Sequence, residues 1–129
     1  MIKLSDYVWD FLHKKGITHA FILGGGGNMH LLDSIGKSKV QYVCNYHEQA
    51  CSFSAEGYAR ITGKPGVCLV TTGPGGTNTL TGVLGCWQDS IPMIVISGQI
   101  ARRFIGAGLK TGLRQLGIQE MNIIDVVKP

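Results

Sequence analysis

The chain has 129 residues, 44% of them hydrophobic and 16% charged, with a net charge of +4 at pH 7. That balance excludes a disordered chain and supplies enough apolar surface for one buried core. With aromatics at only 8%, the charge is too weak for a nucleic-acid-binding surface, and no apolar run reaches membrane-spanning length.

In chain order, Leu4, Val8, Phe11 and Leu12 recur at helical spacing, with Lys14 and Lys15 in a last turn and Gly16 as the stop. The apolar run "HAFIL" reads as a strand ending in "GGGG", followed by a helix over 29–35 stopped by Gly36. "VQYVC" is a second strand, 47–62 a helix ended by Gly63 and Pro65, and "GVCLVTT" a third strand. "GGTNTLTGVLGCWQD" reads as one further helix and "PMIVIS" as a fourth strand. Strand and helix alternate, and the strands are continuously apolar. Both features predict an α/β fold: a three-layer α/β/α arrangement around a parallel sheet whose two faces are covered. Ligands of such sheets sit at the carboxyl ends of the strands. Here those ends carry "GGGG", "NYHE", "TTGPGG" and "SGQ".

Cys44, Cys51, Cys68 and Cys86 lack CxxC spacing and lie in or beside apolar segments, so they are expected to be reduced core thiols rather than metal ligands. Arg102, Arg103, Lys110 and Arg114 stand in a stretch without acids, read as a solvated loop or an attractor of an anionic ligand or partner. The polar N-terminus does not read as a signal peptide, and a cytoplasmic location is expected. After "IQEMNIIDVVKP" no closing helix is expected, and Pro129 reads as a truncation point. The sheet should then be incomplete, with "PMIVIS" as its bare edge.

Glu48 opens a helix whose next residues are nearly all small or apolar. Deep burial there favours the protonated acid over the anion that a helix N-terminus prefers; a plain first-turn capping glutamate remains the alternative. The first glycine run lacks GxGxxG spacing, and Asp33 falls too early to hold a ribose. "TTGPGGTN" is more informative. Pro74 fixes its own φ, Gly75 and Gly76 permit close backbone approach, and Asn78 offers both a donor and an acceptor. Gly82 and Gly85 read as close-packing sites, His47 as a hydrogen-bonded histidine and Asp89 as a helix-end residue.

The block "HEQACSFSAEGYARITGKPGVCLVTTGPGGTNTLTGVLGCWQDSIPMIVISGQ" resembles the N-terminal pyrimidine-binding domain of thiamine diphosphate enzymes, of the acetolactate synthase, pyruvate oxidase and 2-oxoacid decarboxylase group. The likeness runs from "ITHAFILGGGG" to "IQEMNIIDVVKP", so residues 1–129 are expected to be one such domain. The resemblance implies that Glu48 is the catalytic glutamate, hydrogen-bonding a ring nitrogen of the cofactor's aminopyrimidine and sharing its proton. It implies that Gly25, Gly26, Thr71, Pro74 and Asn78 line the cofactor site and that Gln119, in "IQE", lies near the reacting centre. Gly24 stands where that family usually has proline, and Ile118 where it has phenylalanine.

Two family features are missing from this chain. No aspartate is followed by Gly and no two asparagines are adjacent, whereas the family's diphosphate and Mg2+ are held by a Gly-Asp-Gly and an Asn-Asn pair. The resemblance therefore implies that a separate diphosphate-binding domain, of the same or a second subunit, holds both, with no metal ligand in this chain. A homodimer or tetramer is implied, while FAD, used by some relatives, has no indication here. The implied activity is decarboxylation of a small 2-oxo acid, with or without ligation of the product to a second carbonyl compound, the fragment being inactive alone. The alternatives are a separate subunit of a two-chain 2-oxoacid decarboxylase, a non-catalytic binding module on the same fold, and a nucleotide-binding α/β module. Neither nucleic acid nor membrane is an expected partner.

Overall fold

The structure is a computed structural model that describes residues 1–128, with Leu109 described by its backbone alone. Pro129, read above as a truncation point, lies outside the described residues. Helix α1 (Leu4–Lys14) leads to strand β1 (His19–Ile22), helix α2 (Met29–Ile35), strand β2 (Gln41–Cys44), helix α3 (Glu48–Thr62) and strand β3 (Gly66–Val70). Two short helices, α4 (Pro74–Thr77) and α5 (Leu80–Gln88), precede strand β4 (Met93–Ser97). The rest of the chain carries α6 (Ala107–Thr111) and α7 (Ile123–Val127).

The four strands form one sheet in the order β2-β1-β3-β4, and every pairing is parallel. This is the α/β fold expected. Successive side chains of β3 point to opposite faces, as strand geometry requires. Val67 and Leu69 join Trp9 and Leu12 of α1 and Ile35 of α2 in one core. Cys68 and Val70 meet Cys51 and Ala55 of α3 in the other. Helices α1 and α2 thus cover one face and α3 the other, with α5 packed against α3. Glycines end two of these helices in the left-handed region, Gly16 at φ 86 and Gly63 at φ 67, where a side chain would be strained.

Several expectations are corrected. Only β3 is buried along its whole length; β2, at one edge, is exposed throughout, and β4, at the other, is half-buried. Strand position therefore decides coverage more than composition does. Cys44, on exposed β2, is not a core thiol, although Cys51, Cys68 and Cys86 are buried. The single helix expected after the second glycine turn is two, because the Thr79 hydroxyl takes the Gly76 carbonyl at 2.7 Å and its amide bonds that same residue three positions back. Gly82 is a close-packing site, since a Cβ there would stand 2.7 Å from Ser52 Cβ. Gly85 is not, because its nearest neighbour would be Glu56 Oε2 at 3.8 Å. A short helix, α7, forms within "IQEMNIIDVVKP", a stretch given no element above, with Ile123 reaching to 3.2 Å from the Cβ position of Gly76.

Candidate functional site

The loops leaving the carboxyl ends of the strands are tied together by Thr71, the first residue beyond β3. Its Oγ1 accepts a hydrogen bond from the Gly27 amide at 3.0 Å. A Cβ on Gly25 would stand 2.6 Å from that oxygen, and one on Gly75 would stand 2.7 Å from Thr71 Cγ2. The two glycine turns are therefore glycine-rich partly because both close on one threonine. Gly26 differs: nothing lies within 4 Å of its Cβ position, so it faces open space. Asn28, 2% exposed, fixes the first turn by accepting from the Gly25 amide at 2.9 Å and donating to the Leu23 carbonyl at 3.0 Å.

Glu48 is the first residue of α3, and the cap ahead of it is His47, whose Nδ1 accepts from the Gln49 amide at 3.1 Å. This leaves the glutamate carboxylate free of capping duty. Its Oε2 accepts from Asn78 Nδ2 at 3.0 Å, and no other hydrogen bond of the carboxylate occurs among the described residues. Oε1 takes no hydrogen bond among the described residues and lies 3.7 Å from the Cβ position of Gly75. Glu48 is half-buried, so the deep burial considered above is not what this geometry provides. Three residues earlier, Asn45 Nδ2 is buried without a hydrogen-bond partner among the described residues. Beneath α3, the hydrogen bond with Cys51, and then burial, push the Cys68 thiol far above its ordinary range, so it stays a neutral, inert thiol.

A cleft of about 820 Å³ opens on this edge, bounded by glycines 25–27, by Thr71 and Thr72, and by Gln99, Ile118 and Gln119. Gly25, Gly26, Thr71 and Gln119 are brought together here. Glu48, Pro74 and Asn78 do not line the cleft; Gly75, in contact with Thr71, separates it from the carboxylate. Gln119 arrives from far along the chain, and its backbone fills the place a side chain on Gly73 would take, with Gln119 C at 3.2 Å from that Cβ position. The expected basic stretch is exposed at Arg102, Arg103, Lys110 and Arg114, and the Arg103 guanidinium lies 4.8 Å from the Phe104 ring at the cleft.

Residues 2–126 match the family described as thiamine pyrophosphate enzyme, N-terminal TPP binding domain. The chain belongs to this family. It is 39% identical over 127 residues to acetolactate synthase 2, chloroplastic, of Nicotiana tabacum, covering 98% of this chain and 18% of that protein. It is 42% identical over 126 residues to the acetolactate synthase large subunit of Buchnera aphidicola from Schizaphis graminum, covering 97% and 21%. The chain thus spans about a fifth of the length of these relatives.

The residues present fit the aminopyrimidine half of that family's cofactor. Glu48, anchored through Oε2 and with no hydrogen bond to Oε1 among the described residues, suits the edge of a flat ring that carries donors and acceptors. Among the described residues no group of three or more His, Cys, Asp or Glu side chains is placed to hold a metal ion. No helix of the described residues is long and apolar enough to cross a membrane.

The sequence reading missed Asn28, Gly73, Gly98 and Gln99. A Cβ on Gly98 would stand 2.5 Å from the Gly27 carbonyl oxygen, joining β4's end to the first glycine turn. Gln99 ended the quoted "SGQ", and its place at a strand's carboxyl end was the available signal.

Proposed function

We propose that this chain supplies the aminopyrimidine side of a thiamine diphosphate site in an enzyme that decarboxylates a small 2-oxo acid and joins the product to a second carbonyl compound. The observation that carries the reading is the Glu48–Asn78 pair: Asn78 Nδ2 holds Oε2 at 3.0 Å and leaves Oε1 to share a proton with a ring nitrogen. When bound, thiamine diphosphate supplies the electron sink for loss of carbon dioxide. Asn78 orients the carboxylate, Thr71 fixes both glycine turns, and Gly25, Gly26 and Pro74 complete the cofactor side. Gln119, at the cleft, stands toward the substrate.

The diphosphate and its Mg2+ are assigned to a separate diphosphate-binding domain, in the same or a second subunit, as in a homodimer or tetramer. In support, the outer face of α3 and α5 is apolar and uncovered: Phe53 is 46% exposed, Leu84 54% and Trp87 76%. No residue of this chain is assigned to a flavin. The test is carbon dioxide release from pyruvate by the assembled enzyme, with product analysis separating ligation from aldehyde release. Turnover that requires added thiamine diphosphate and Mg2+ is the expected result. NAD affinity without any thiamine diphosphate dependence would replace this reading with the nucleotide-binding one.

A further inference from the structure

We propose that Gln99 is the positioning residue for Gln119: its side-chain amide latches the segment 117–121 into one wall of the cleft. Gln99 Oε1 accepts from Thr72 Oγ1 at 3.0 Å and from the Ile100 amide at 2.9 Å, while Nε2 donates to the Met121 carbonyl at 3.1 Å. Both acceptor sites of the carbonyl oxygen are used, and one amide therefore ties the ends of β3 and β4 to a segment 22 residues further on.

That segment needs the tie. Gln119 has φ 52, a left-handed conformation that a non-glycine residue keeps only where its surroundings impose it. Ile118, just before it, is 78% exposed and contributes little packing. The position of Gln119 is thus set at two points: Gly73, which leaves room for its backbone, and Gln99, which holds the carbonyl two residues later. That this wall faces a substrate rests on the function proposed above. That Gln99 holds the wall rests only on these contacts.

Gln99→Glu keeps both acceptor contacts but removes the donor and sets a carboxylate against the Met121 carbonyl. Gln99→Met has similar length and removes all three hydrogen bonds. In the assembled enzyme, both variants should raise the rate of cleavage after Glu120 by a glutamate-specific protease about ten-fold, with amide hydrogen exchange of β1 and β3 within about two-fold of wild type. The KM for the 2-oxo acid should rise about ten-fold, with thiamine diphosphate affinity within about two-fold. Unchanged cleavage after Glu120 overturns the proposal, as does loosening spread evenly through the sheet or a fall in cofactor affinity equal to the rise in KM. If cleavage after Glu120 rises as expected while the wild type shows no thiamine diphosphate-dependent turnover, the latch stands and the proposed function falls.

Discussion

Gly66→Ala probes the contact that sets α3, and hence Glu48, against the sheet. A Cβ at Gly66 would stand 2.5 Å from the Ala55 carbonyl carbon and 2.9 Å from Ala55 Cα. Both are backbone atoms, so no side chain can rotate away. Restoring ordinary carbon–carbon contact near 3.5 Å requires α3 to move about 1 Å from β3. Overpacking relieved by backbone shifts costs about 3 kcal/mol, the upper end for such changes. For a domain of this size that lowers the melting temperature by about 12 °C. The companion variant is Gly57→Ala, inside the same helix, where nothing lies within 4 Å of the Cβ position. It should raise stability by about 0.5–1 kcal/mol through helix propensity alone. Thermal unfolding followed by circular dichroism reads both. A Gly66→Ala protein melting within about 2 °C of wild type refutes the claim that this glycine fixes the helix–strand distance.

Three other outcomes follow from the structure. Thr71→Val keeps the shape but leaves the Gly27 amide without its 3.0 Å acceptor, which should cost about 1–3 kcal/mol in urea unfolding. Hydrogen bonds from Lys3 and then Lys37 hold the Asp33 carboxyl at about 2, below its ordinary 3.8. A depressed carboxyl stabilises above its unfolded value and loses that contribution as pH falls, here between about 4 and about 2. A carbon NMR titration of Asp33 should show the low midpoint, moving upward in high salt because the pairs are exposed. Native thiol labelling should modify Cys44 rapidly, with Cys51, Cys68 and Cys86 reacting only on unfolding. Fast modification of all four would contradict the two-faced core.

The layers were legible because local signals agreed with tertiary packing. The apolar runs, Gly16 and Gly63 marked β1, β3 and the ends of α1 and α3 without help from distant residues. Coverage of each strand was not legible. β2 and β3 read alike as apolar runs, yet one is an exposed edge and the other fully buried, since strand order depends on which neighbours pair. Within the site, Glu48 stood out by its uncharged neighbours and Asn78 by its place after the second glycine turn. The link between them spans 30 residues and needed the fold to be seen. Gln99 escaped notice for the same reason, because its partner Met121 lies on a segment with no periodic pattern. Gly25 carried a second reason invisible in sequence, the closeness of Thr71.

The central claim is that the Glu48 carboxylate, held by Asn78, takes part in proton sharing with the cofactor, and Glu48→Gln tests it most directly. The substitution keeps the size of the side chain and removes the carboxylate. Steady-state turnover of a 2-oxo acid by the assembled enzyme should fall by about 10²–10⁴-fold, the range for loss of an acid–base group. Subunit assembly and melting temperature should stay at wild-type values. Turnover within about two-fold of wild type would contradict the account and leave Glu48 as a structural residue at the start of α3.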